Sequence, residues 1–177
     1  MMHGVNESLK FVPVRIAILI VSDTRTLAND TSGDLLVRRV QDAGHELAER
    51  KILRDDIPSI RAQVKAWIDD PLIDVIISSG GTGLTGRDIT PEAITPLFEK
   101  TIDGFAHVMH MVSFQSVGVS TMQSRSCAGV ANNTFIFALP GSNGAVKDGW
   151  DKIICLQLDS RHKPCNLIEI MPRLSEK

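Results

Sequence analysis

The chain has 177 residues, 43% of them apolar and 23% charged, a balance that suits one globular domain with a substantial core. A net charge of −2 argues against a general nucleic-acid binder, which shows a basic excess or stripe, and against electrostatic docking on an anionic membrane. The longest early apolar run, Ile16 to Val21, is too short for a secretion signal or a bilayer span, so a cytoplasmic location is expected. Cys127, Cys155 and Cys165 stand at no metal-ligand spacing and are expected as reduced thiols, the first two packing as small apolar residues.

Residues 1–13 are polar and mixed, and read as a flexible N-terminal segment preceding a single domain over 14–170. Val14 to Val21, almost continuously apolar and β-branched, predicts a buried strand. After a polar loop, Thr31 with Asp34 three residues on resembles a capping box, opening an amphipathic helix through Leu35, Leu36 and Val40 that stops at Gly44. A second strand is expected over Glu46 to Leu53, and a helix from Pro58 to Asp69. Ile73 to Ser79 reads as a third strand, running directly into a glycine loop. Thr90-Pro91-Glu92 has the signature of a helix start, with a capping hydroxyl, a proline at the first position and an acid in the first turn. A helix is expected from Gly104 to Gln115, a strand from Thr134 to Ala138, and a last helix from Pro140-Gly141-Ser142 to about Leu158. This alternation predicts a three-layer α/β/α sandwich with a mostly parallel central sheet.

In such sheets ligands bind beyond the carboxyl ends of the strands. Three loops leave that edge: Ser22-Asp23-Thr24-Arg25, Ser78 through Asp88, and Leu139 through Gly144. Any one alone is explained as a turn; three together suit an anionic ligand, because backbone N–H groups in such loops form anion-binding nests. Gly81-Thr82-Gly83-Leu84-Thr85-Gly86 matches G-x-G-x-x-G in form, but it follows the third strand and its last glycine precedes the helix start, so the dinucleotide reading is set aside. No Lys-Ser/Thr pair follows, which removes the P-loop reading too.

Phosphates bound at a glycine nest commonly bring Mg²⁺, held by one or two carboxylates. Asp88 can supply one, or can simply interact with the helix dipole. Asp55 and Asp56, just past the second strand, reach the same edge and can supply a second, or can be a solvated loop. Arg125, flanked by Ser124 and Ser126, suits a phosphate or carboxylate, and equally a surface salt bridge. His107 and His110 at i, i+3 are assigned no metal.

The ordered set Ser79-Gly80-Gly81-Thr82-Gly83, Asp88-Ile89-Thr90-Pro91-Glu92-Ala93, Ser124-Arg125 and Leu139-Pro140-Gly141 resembles the molybdenum-cofactor biosynthesis proteins of the MoaB/MogA type. Gln123 through Asn132 and Gln157 through Asn166 are closer to the MoaB branch. The resemblance implies molybdopterin as substrate or ligand, ATP as co-substrate with Mg²⁺, and transfer of AMP to molybdopterin with release of pyrophosphate. It places Asp88 and Asp55 as the catalytic, metal-holding acids. It places Ser22, Asp23, Ser79, Gly80, Gly81, Thr82, Gly83, Thr90, Glu92, Ser124, Arg125, Pro140, Gly141 and Ser142 around the substrates, with Arg125 and the Ser22 loop neutralising phosphate. It also implies a homo-oligomer, trimer or hexamer, which a cluster of exposed apolar side chains near Phe105 to Phe114 would support, and contacts with other proteins of the pathway. A non-catalytic molybdopterin carrier is the alternative.

Overall fold

A strand that is apolar on both faces is stable only when covered on both sides, and the run Arg15–Val21 lies where that condition is met. The computed structural model describes residues 4–176. In chain order the elements are β1 (Gly4–Val5), β2 (Arg15–Val21), α1 (Thr31–Asp42), β3 (Glu46–Leu53), α2 (Ile57–Ile68), β4 (Val75–Ser79), α3 (Thr90–Ile94), β5 (Lys100–Thr101) and α4 (Asp103–Val117). They continue with β6 (Cys127–Ala131), β7 (Thr134–Leu139), α5 (Asn143–Gly149), α6 (Cys155–Leu158), β8 (His162–Lys163) and α7 (Leu167–Ile170). A π-helical turn, Trp150–Ile154, joins α5 to α6, so the last long helix runs to Leu158 as its sequence predicts.

Six strands form one sheet in the order β3-β2-β4-β7-β6-β5. β3, β2, β4 and β7 are parallel to their neighbours, whereas β6 runs antiparallel to β7 and β5 antiparallel to β6. Period-two alternation splits each central strand between two cores. Ile16, Ile18 and Ile20 of β2 join Phe135 and Phe137 of β7 under α1, α4 and α5. Ala17, Leu19 and Val21 face the other way, against Ile60, Val64 and Trp67 of α2 and Ala93 and Ile94 of α3. The result is the expected α/β/α sandwich. Cys127 and Cys155 pack at the margins of these cores as free thiols, and burial pushes the Cys127 thiol up to about 11.

Four local expectations change. The cap of α1 is Asp30, not Thr31: the Asp30 carboxylate accepts from Gly33 N at 2.9 Å and also pairs with Arg50. The hydroxyl of Thr90 caps no helix; it donates to the Gly80 carbonyl at 2.8 Å. β6 has no counterpart in the predicted elements. Residues 4–13 of the segment read as flexible are tied to the C-terminal region: β1 pairs with β8, Asn6 N donates to Arg161 O at 2.9 Å, and Val12 N donates to Ser160 Oγ at 2.9 Å.

Asp30 is fully buried and serves α1 and Arg50 together. Asp30→Ala therefore removes a cap and leaves the Arg50 guanidinium with Asp34 as its one remaining acid, and is expected to cost about 2 kcal/mol in urea denaturation. Asp30→Asn, which keeps the cap acceptor, should cost clearly less.

Candidate functional site

Strand register brings the three loops together. Ile20 pairs with Ser79, Ser79 with Leu139, and Val21 with Leu53, so the segments beginning at Ser22, Arg54, Gly80 and Pro140 leave the same edge. From β2 the chain passes to β3 on one side, and β4 returns on the other. The strand order reverses at β2, and a crevice opens there.

The crevice is a cleft of about 510 Å³. Its floor is Ser79 and the turn Gly80–Gly83, and one wall is Pro140, Gly141 and Ser142 at the start of α5. Gly80 and Gly81 have φ of 104° and 63°, which side chains rarely adopt. A Cβ on Gly80 would overlap the Val21 carbonyl, and one on Gly81 would overlap the Thr90 hydroxyl. Gly80 N donates to Leu139 O at 3.0 Å, Ser79 Oγ to Pro140 O at 3.2 Å, and Thr90 N to Gly81 O at 2.9 Å. The two glycine loops are thus joined to each other, and both line the cleft.

Arg125 holds the far end of this turn. Its backbone N donates to Thr82 O at 2.9 Å, its Nε to Gly83 O at 2.7 Å and its Nη2 to Asp88 O at 2.7 Å. The guanidinium is completed by an ion pair with Glu92. The fork expected to meet a phosphate is therefore committed to the protein's own loop. Neither Arg125 nor Glu92 lines the cleft, and both reach it only through residues 82–88.

Asp88 lies at the rim. Its Oδ2 accepts from Thr85 N at 2.9 Å and Thr85 Oγ1 at 2.6 Å. These bonds, with help from the Gly83 amide and the Arg125 charge, outweigh burial and hold its carboxyl below the usual range. Asp55 is the opposite case: burial and the charges of Asp23 and Asp88 push its carboxyl up. Ideal Cβ positions place Asp55 Oδ1 3.0 Å from Gly81 and Asp88 Oδ2 2.7 Å from Gly83, so the two acids flank one glycine turn. Among the described residues no group of three or more His, Cys, Asp or Glu comes together. His107 Nδ1 bonds the Asp103 carbonyl, and His110 Nδ1 the Thr121 hydroxyl.

Of the residues singled out in the sequence, Ser22, Ser79, Gly80, Gly81, Thr82, Gly83, Asp88, Ser124, Pro140, Gly141 and Ser142 line the cleft. Thr90 sits behind the turn, Asp23 pairs with Arg87, and Asp55 stands beside the cleft. The remaining wall comes from α4 and the turn after it, through Ser113, Ser116, Ser120 and Thr121, and from Asp148 on α5. Asp148 accepts from Ser116 Oγ at 2.7 Å and pairs with Lys152 at 2.8 Å. Burial pushes its carboxyl up, but Lys152 and Ser116 outweigh that and bring it below the ordinary value. Serines at i, i+3 on α4 were a readable hint of a polar stripe.

Fold, switch-point cleft and glycine turn together define an α/β protein whose cleft is of small-molecule size. Residues 17–160 match the family described as "Probable molybdopterin binding domain". Molybdenum cofactor biosynthesis protein B of Escherichia coli (strain K12) is 49% identical over 159 residues, covering 90% of this chain and 94% of the relative. A crystal structure of a molybdenum cofactor biosynthesis protein B superposes with a TM-score of 0.84 at 36% identity, covering 94% of this chain and 98% of that one. The tungsten cofactor synthesizing protein MoaB from Pyrococcus furiosus superposes with a TM-score of 0.72 at 33% identity, covering 80% and 90%. The chain belongs to the molybdenum-cofactor biosynthesis family of the MoaB/MogA type.

The two acids should differ in sign. Asp88, held below its ordinary value, contributes stability above its unfolded pKa and loses it as pH falls through the folded one. Asp88→Asn should therefore lower the melting temperature at neutral pH, with the gap closing toward roughly pH 3. Asp55, raised in the folded state, carries its charge at a cost at neutral pH. Asp55→Asn should melt at the same or a higher temperature, which thermal melts of both variants against pH will check.

Proposed function

We propose that the chain transfers AMP from ATP to molybdopterin, releasing pyrophosphate, in molybdenum cofactor biosynthesis. The observation that carries this reading is the pair Asp55 and Asp88 flanking a glycine turn whose backbone forms the floor of the cleft. Phosphoryl-type transfer needs positioning and charge neutralisation rather than a protein nucleophile. An oxygen of the pterin's terminal phosphate attacks the α-phosphorus of ATP. The bond from that phosphorus to the bridging oxygen breaks, and its electron pair leaves with pyrophosphate.

Two carboxylates suit Mg²⁺, which takes few protein ligands and fills its shell with phosphate oxygens and water. Asp88 and Asp55 would hold it; bound there, it neutralises charge on the phosphates. Gly80–Gly83 and Pro140–Ser142 present peptide edges to the pterin and its phosphate, and Ser22, Ser79 and Ser124 offer hydroxyls at the same cleft. Thr90, Glu92 and Arg125 act behind the turn, keeping Asp88 in place. No helix among the described residues is long and apolar enough to cross a membrane; the location we propose for the reaction is the cytoplasm.

Incubation with molybdopterin, ATP and Mg²⁺ should yield adenylylated molybdopterin on chromatography, and Asp88→Ala should lower its rate by about a hundredfold or more. Pterin binding without product in the wild type would instead make the protein a carrier in the same pathway.

The proposed assembly is a homo-oligomer, trimer or hexamer, open to other proteins of the pathway. Val108, Met111, Phe114 and Val117 recur every third residue on α4, and Val119 and Met122 extend them; each is at least 43% exposed. Phe105, by contrast, is buried in the core. Exposed apolar side chains gathered on one helix and the turn after it support an interface there. Phe114→Glu should shift the species seen by light scattering toward monomer without changing the circular dichroism of the fold.

A further inference from the structure

The loop Ser22–Arg25 is a wall shared by two clefts. On one side lies the glycine cleft. On the other a groove of about 500 Å³ passes over the C-terminal end of β3, lined by Asp23, Arg25, Arg50, Lys51 and Arg54. Ser22 and Arg25 face both.

Most charges in this groove are already matched. Arg50 pairs with Asp30 and Asp34, Lys51 with Glu49, and Asp23 with Arg87. Two guanidinium groups are left over. Arg25 donates to the Asn29 carbonyl at 2.6 Å and makes no ion pair, and Arg54 makes neither an ion pair nor a side-chain hydrogen bond among the described residues. Arg50 adds an Nε that is buried without an acceptor. Next to this unpaired positive charge, one residue beyond Arg54, stands Asp55, whose carboxyl feels the neighbouring acids Asp23 and Asp88. Guanidinium groups with no close ion-pair partner, set beside carboxylates, make a surface complementary to a polyphosphate carrying a divalent cation, since Arg forks bind phosphate oxygens in pairs and the acids take the metal.

We propose that this groove binds the triphosphate of the nucleotide co-substrate, with Arg54 and Arg25 as its phosphate ligands. This rests on the AMP-transfer reading of the glycine cleft and extends it to a bipartite site: pterin in one cleft, nucleotide phosphates in the other. Arg25, on the shared wall, stands where the α-phosphorus meets the attacking pterin phosphate. Pyrophosphate is then released from the Arg54 side. The charge that the sequence assigned to Arg125 is supplied here by two arginines of the Ser22 loop and the β3 end.

The test is calorimetric titration of inorganic triphosphate with Mg²⁺ into the wild type, Arg54→Gln, Arg25→Gln and, as a control with the same charge change on an exposed face of α1, Arg38→Gln. Triphosphate should bind the wild type and the Arg38 variant alike, and bind the Arg54 and Arg25 variants about tenfold or more weakly. Molybdopterin should bind Arg54→Gln as it binds the wild type. No triphosphate binding to the wild type, or equal losses in all three variants, overturns the groove. Triphosphate binding that follows the proposal in a protein that makes no adenylylated pterin would defeat the reaction and leave the groove standing. Adenylylation by Arg54→Gln with an unchanged KM for ATP would defeat the groove and leave the reaction standing.

Discussion

Gly80 lies between the ends of β2 and β7, with no room for a side chain against the Val21 carbonyl and with its Cα 3.1 Å from the ideal Cβ position of Gly141. That close approach of three backbones is what turns the ends of neighbouring parallel strands into one cleft. Without it, the turn after β4 would stand off from the turn after β7, and the peptide edges now turned to one cleft would be separated. The sheet supplies the direction, since β2, β4 and β7 run parallel and end together. The glycines supply the proximity.

Everything beyond that contact is support. Thr90 spends its hydroxyl on the Gly80 carbonyl, and Arg125 spends its whole fork on Gly83, Asp88 and Glu92. A turn with two residues at positive φ is held from behind by charge-assisted hydrogen bonds, which are stronger than neutral ones. The same arrangement sets the two acids apart: Asp88 is satisfied by Thr85, while Asp55 is left among like charges. Perturbed acids in a cleft mark a candidate functional site.

The central strands were legible because burial on both faces demands unbroken β-branched and aliphatic runs, as in Arg15–Val21 and Val75–Ser79. The glycine turns were legible because few other residues tolerate their geometry. β6 was not, since Cys-Ala-Gly-Val-Ala is built from small residues with little strand signature. Their size has a reason visible only in three dimensions: a Cβ on Gly129 would overlap the ring of Phe98. The role of Arg125 was equally hidden, because its partners Gly83, Asp88 and Glu92 lie more than thirty residues away in the chain. The sequence pointed to Arg125 and the Ser22 loop, but which guanidinium is committed to the protein depends on tertiary pairing. Asp148 escaped for the same reason, its partner Ser116 lying 32 residues away, whereas the serines of α4 left an i, i+3 trace.

The most direct measurement of the central claim is a titration of the ¹⁵N-labelled protein with molybdopterin, following backbone amide resonances. The account predicts that the amides of Gly80, Gly81, Gly83 and Gly141 shift together with one affinity, while the amides of β1 and β8 on the far side stay in place. Shifts confined to other surfaces, with these four glycines unmoved, would contradict it.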